Sequence, residues 1–81
     1  MRNGMLTLKD MREGQEAVIA RVGGNGALRR RLLEMGLRSG VRIRIEKYAP
    51  LRDPLELVIN AMHISLRVEE AAQIEVDPSC Q

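Results

Sequence analysis

Apolar and charged residues alternate strictly along Val41-Arg42-Ile43-Arg44-Ile45-Glu46-Lys47, the pattern of a strand with one buried and one wet face. Leu55-Glu56-Leu57-Val58-Ile59 sets Leu55, Leu57 and Ile59 on one face, and Ile64-Ser65-Leu66-Arg67 and Gln73-Ile74-Glu75-Val76 alternate again. A β-branched run from Gln15 to Val22 follows the turn residue Gly14 and predicts the first long strand. Five short strands with turn signals at close intervals predict a mainly β chain folded as a small barrel. One segment changes period. Leu28, Leu32 and Met35 recur at the spacing of one helical face, with Asn25 placed to cap the start and Gly36 to end it. The result is a helix of about ten residues inserted after the first long strand. Val68 to Ala72 predicts a single further helical turn, and Ala49 to Pro54 a loop stiffened by Pro50 and Pro54.

Composition narrows the class. The chain has 81 residues, 44 % hydrophobic and 30 % charged, enough for one small domain with little core to spare. Its core must be aliphatic, because Tyr48 is the only aromatic residue. No apolar run approaches a membrane span, the N-terminus lacks the apolar stretch of a secretory signal, and a lone cysteine, Cys80, makes no intrachain disulfide. A soluble cytosolic module is the expectation, ordered over residues 6–76 with a disordered tail over 77–81.

Charge adds an asymmetry that the net +2 conceals. Between Arg21 and Arg52 nine basic residues face only Glu34 and Glu46, a local +7 against −5 for the rest of the chain. Arg29, Arg30, Arg31, Arg38, Arg42 and Arg44 are the candidate partner-binding residues, suited to an acidic protein surface or to phosphate. The bland alternative is that they merely solvate a small domain.

Catalytic and ligand signals are sparse. Gly23-Gly24-Asn25-Gly26 precedes the helix, but the phosphate-binding GxxxxGK[ST] pattern is absent, and Arg29 occupies the third glycine position of GxGxxG. An ordinary strand-to-helix turn is the simpler reading. Ser39, Ser65, Ser79 and Cys80 would all share the single His63 as base, with no third group to orient it. No CxxC, HxH or HExxH spacing exists, so no metal site and no cofactor is expected within one chain. His63 is the first candidate for a ligand shared between chains, against the default of an exposed turn histidine. A nucleic-acid module would use the same arginines, yet it would rely on one tyrosine for stacking and one helix for groove reading.

Three ordered segments resemble the FeoA family. Arg31-Leu32-Leu33-Glu34-Met35-Gly36-Leu37-Arg38-Ser39-Gly40 is similar to its RLLEMGLxxG segment, and Ala49-Pro50-Leu51-Arg52-Asp53-Pro54-Leu55 to its APLGDPI loop. Ser65 through Val76 is similar to its LRxxEAxxIxV ending, and Leu6-Thr7-Leu8 followed by Gly14 fits its opening. The motif positions that carry the match are Leu32, Met35, Gly36, Gly40, Pro50, Asp53, Pro54, Leu66 and Arg67. The resemblance implies an SH3-like five-stranded β-barrel and a non-catalytic accessory role in bacterial ferrous iron uptake. The implied partner is the cytosolic domain of a FeoB-type transporter, which would bring the protein to the membrane only indirectly; a homo-oligomer stays open. The same fold occurs in metal-dependent repressors, so a metalloregulator-type or nucleic-acid-associated domain is the alternative. Two departures stand out: Arg52 replaces a glycine, and Asn60-Ala61-Met62-His63 lacks one.

Overall fold

The computed structural model describes residues 6–51 and 53–77. In chain order they form β1 (Leu6–Thr7), a 3-10 turn (Leu8–Asp10), β2 (Glu16–Val22), α1 (Gly26–Glu34), β3 (Arg42–Tyr48), β4 (Leu55–Ile59), β5 (Met62–Leu66), α2 (Val68–Ala71) and β6 (Ile74–Asp77). The strands make one antiparallel sheet in the order β1-β6-β2-β3-β4-β5. Bulges between Ile19 and Arg21 on β2, and between Ile45 and Lys47 on β3, bend the sheet around its inner face.

The mainly β, single-helix architecture matches the expectation, with two corrections. Six strands form rather than five: β1 has only two residues and pairs Leu6 with Val76 and Thr7 with Glu75, too short to show any alternation in sequence. The barrel also does not close by hydrogen bonds, because β1 and β5 end the sheet on opposite sides. Asp77, expected in the tail, is the last residue of β6, where it pairs with Val18; residues 78–81 lie outside the described ones, as does Arg52.

Alternation becomes burial as the pattern predicts. Ile43 and Ile45 are buried while Arg42 and Arg44 are exposed, and Leu55, Leu57 and Ile59 all enter the core. α1 covers part of this core with Leu32, fully buried, and with Leu28 and Leu33 packed beside it, joined by Met35 at its C-terminal cap. Its ends follow from sequence. The Asn25 side chain accepts a hydrogen bond from Leu28 N at 2.9 Å. At the other end Gly36 adopts φ +100°, with Leu37 N donating to Leu32 O and Gly36 N to Leu33 O. That pair of bonds is a Schellman closure, and it delivers Leu37 to the core.

The β4–β5 turn holds both Asn60 (φ 50°) and Ala61 (φ 68°) in the left-handed region, as a two-residue hairpin of this type requires. Asparagine tolerates that region, whereas alanine's Cβ meets the following carbonyl. Ala61→Gly is therefore expected to stabilise the fold by about 1 kcal/mol, roughly 5 °C in thermal midpoint for a domain this small. Circular-dichroism melting checks it, and an unchanged or lower midpoint would show that Ala61 carries no strain.

A candidate interaction surface

The motif residues are consumed in holding the fold. Leu32 and Leu66 belong to the core, and Met35 packs against that core. Gly36 and Gly40 have positive φ, and Gly40 N donates to Ile19 O at 2.7 Å, pinning the α1–β3 connection onto β2. Ser39 adds a bond from Oγ to Ala20 O. Asp53 Oδ1 accepts from Val68 N at 3.0 Å, which ties the proline loop to the start of α2. Pro54 follows a cis bond, and its carbonyl accepts from Ala49 N. Arg67 precedes α2, and its N–H donates to Glu70 Oε1 at 3.0 Å. Pro50 lines a surface cleft.

The candidate arginines divide. Consecutive helix residues point about 100° apart, so Arg29, Arg30 and Arg31 meet three different environments. Arg29 turns back, and its Nε donates to Val22 O at 3.1 Å. Arg31 pairs with Glu70 on α2. Arg42 reaches Glu16 at 3.3 Å across the β2–β3 pair. Arg30, Arg38 and Arg44 are exposed, and no hydrogen bond or ion pair to another described residue engages their guanidiniums. Arg44 stands opposite Glu16 in register, but that carboxylate is turned to Arg42. Three unengaged cations thus sit on α1, on the connection after it and on β3.

Glu70 is the residue that sequence reasoning missed. Adjacent glutamates on a helical turn diverge, and here Glu69 is exposed while Glu70 is buried between Arg31 and the Arg67 N–H. Its signal was the spacing Arg67-x-x-Glu70, which is that of a capping box whose first position is normally Ser or Thr.

The rest of the surface offers little chemistry. Two clefts, about 530 and 350 Å³, flank Tyr48. Their carboxylates serve the backbone: Glu13 accepts from Tyr48 N and Asp53 from Val68 N. The Tyr48 hydroxyl donates to Met11 O. His63 lies exposed on β5, with Nδ1 3.2 Å from Glu46 Oε1. Among the described residues no group of three or more His, Cys, Asp or Glu side chains could hold a metal ion, and no helix is long and apolar enough to cross a membrane.

The FeoA domain model matches residues 6–78. The chain belongs to the FeoA family. Over 72 residues it is 46 % identical to a fusion of Fe(2+) transport protein A with the Fe(2+) transporter FeoB from Porphyromonas gingivalis, covering 89 % of this chain and 8 % of that protein. The chain therefore spans a small part of that relative. A solution structure of a FeoA-like protein from Clostridium acetobutylicum superposes with a TM-score of 0.88 at 26 % identity, covering 99 % of this chain and 93 % of the other. A zinc complex of Stenotrophomonas maltophilia FeoA, described as a prokaryotic SH3 domain protein, superposes at 0.79 with 30 % identity and 89 % of each chain. The fold of this FeoA chain is accordingly SH3-like, as its motifs implied.

Proposed function

We infer that this FeoA chain is a cytosolic, non-catalytic accessory of bacterial ferrous iron uptake that docks onto the cytosolic domain of a FeoB-type transporter. The observation that carries this reading is the division of the arginines. Arg29, Arg31 and Arg42 are held by the protein itself, whereas Arg30, Arg38 and Arg44 present guanidiniums that no other described residue engages. Exposed arginines suit carboxylates on a partner, steering the encounter and fixing its register. The Porphyromonas gingivalis relative supports the choice of partner, since it carries both names in one chain. Ferrous iron is the cargo of that system, and no step of its transport is assigned to a residue of this chain.

The nucleic-acid alternative draws on the same cations but lacks a stacking platform. Tyr48, the single aromatic, is half-buried with its hydroxyl on Met11 O. The test is fluorescence anisotropy of the labelled chain against the transporter's cytosolic domain and against single- and double-stranded DNA, at two salt concentrations. Arg30→Glu/Arg38→Glu/Arg44→Glu is expected to weaken transporter binding by about tenfold or more, each reversal costing of order 0.5–1 kcal/mol at an exposed site. Unchanged transporter binding in the triple variant would reject the surface. DNA affinity that falls steeply on a log–log salt plot, without transporter binding, would replace the function.

A further inference from the structure

β5 ends the sheet, and no described strand pairs with its outer edge. The two-residue turn at Asn60 and Ala61 fixes which of its backbone groups are spare. A hairpin of this type closes on a hydrogen-bonded pair, here Ile59 and Met62, and bonded and non-bonded pairs then alternate along the ladder. Met62, Ile64 and Leu66 therefore direct their N–H and C=O groups to β4, whereas those of His63 and Ser65 point away from it. Both residues are exposed. Natural edge strands discourage pairing with lysine, proline or a bulge, and Met62-His63-Ile64-Ser65-Leu66 has none of the three.

The side chains around this edge define what fits it. Leu66, Ile64 and Met62 share the inner face, yet Leu66 is buried, Ile64 is half-buried and Met62 is 53 % exposed. The core thus runs out toward the turn and leaves apolar surface uncovered. On the outer face His63, Ser65 and then Arg67 follow at every second position, all exposed. The nearby acids are matched: Glu46 Oε1 lies 3.2 Å from His63 Nδ1, and Glu56 stands opposite Lys47 in register. Arg67 is not matched, since no hydrogen bond or ion pair to another described residue engages its guanidinium. Arg44, Val58 and His63 stand in register across β3, β4 and β5. The unengaged Arg44 is therefore two strand spacings, roughly 10 Å, from the edge on the same face.

We propose that β5 receives an extended segment of the transporter's cytosolic domain as a seventh strand of the sheet. The main chain of that segment bonds to the N–H and C=O groups of His63 and Ser65, which gives affinity, while its alternating side chains give specificity. Those on the inner face are apolar and cover Met62 and Ile64. Those on the outer face are polar, with a carboxylate reaching Arg67. A second acidic group of the same partner meets Arg44, so that strand and arginine surface form one continuous contact. A five-residue strand alone buries far less than the ~1,200 Å² of a lasting interface, and the two contacts act together. This proposal rests on the transporter reading and names the kind of segment that docks and the edge it joins.

Ser65→Pro isolates the edge. Proline removes the Ser65 N–H, which β4 does not use, and its ring obstructs a strand laid alongside, whereas an edge position with an outward N–H tolerates it. Fluorescence anisotropy of the full chain against the transporter's cytosolic domain is expected to show binding weakened about tenfold or more. Ser65→Ala, which keeps the N–H, should bind like the parent. Met62→Lys is the second variant; it alters an already exposed position, sets a charge against the incoming apolar side chain and should weaken binding similarly. Arg67→Ala keeps the N–H that donates to Glu70 and should lose about threefold. Hydrogen exchange should show the His63 and Ser65 amides open in the free chain and protected in the complex. Binding that leaves these amides unprotected, or that survives Ser65→Pro and Met62→Lys, overturns the strand and leaves the transporter reading standing. Concentration-dependent protection in the chain alone gives the edge to a second copy and overturns the proposal as well. A parent chain with no affinity for the domain removes the transporter reading and this strand together.

Discussion

Leu57→Asp is expected to abolish the cooperative unfolding transition. Leu57 is fully buried at the middle of β4, paired with Ile45 of β3 on one side and Ile64 of β5 on the other. An aspartate there would place a carboxylate among aliphatic side chains with no partner, at a cost of several kcal/mol. A domain of this size has only about 5–10 kcal/mol of stability in total, so one such group consumes most of it. The neighbouring Val58→Asp is the control. Val58 lies on the opposite face of the same strand, half-buried between Arg44 and His63 in register, and its carboxylate would meet water and two basic side chains. That variant should still melt as a single transition. Because a one-residue slip exchanges the faces of a strand, the pair of melts reads the register directly. A cooperative melt of Leu57→Asp near the parent temperature would overturn it.

The parts of this fold that were legible in sequence are those where one face is wet and the other dry. β3 announces itself because its arginines point outward while Ile43 and Ile45 point in. α1 is bounded by residues with specific backbone tasks, Asn25 at one end and Gly36 at the other. β1 was not legible, since two residues carry no period. The open edge of β5 was not legible either, because closure depends on how far the sheet curls rather than on any local pattern. The arginine segment was legible as a charge but not as a surface. Three consecutive arginines look alike in sequence, and only the helical rotation, the position of Val22 O and the position of α2 separate Arg30 from its neighbours. Iron is written in no residue cluster of this chain, and it enters through the family alone.

Glu70→Ala is the second substitution with a large expected effect, about 2–3 kcal/mol of lost stability. The Glu70 carboxylate is divided between two tasks: Oε1 accepts from the Arg67 N–H at the start of α2, and Oε2 pairs with Arg31 of α1. Its side chain is only 11 % exposed, so both bonds form where water competes poorly, whereas the Arg31 side chain is 57 % exposed. Removing the carboxylate leaves an uncapped helix start and releases the link between α1 and α2 together. Arg31→Ala removes one of the two bonds and lets water reach the site that the guanidinium vacates, so about 1 kcal/mol is expected. Glu70→Gln keeps an acceptor for the Arg67 N–H and should fall between the two. Urea unfolding of the two alanine variants and their double mutant gives the coupling. If the ion pair joins the helices, the double variant should cost less than the sum of the singles. A Glu70→Ala variant within about 0.5 kcal/mol of the parent, the scatter of an ordinary surface change, would remove Glu70 from the structural frame. The same experiment bears on the partner surface. If Arg31 acts through Glu70, Arg31→Ala should lower stability yet leave the affinity for the transporter domain unchanged well below its melting temperature. Reversal at Arg30, which no other described residue holds, should do the opposite.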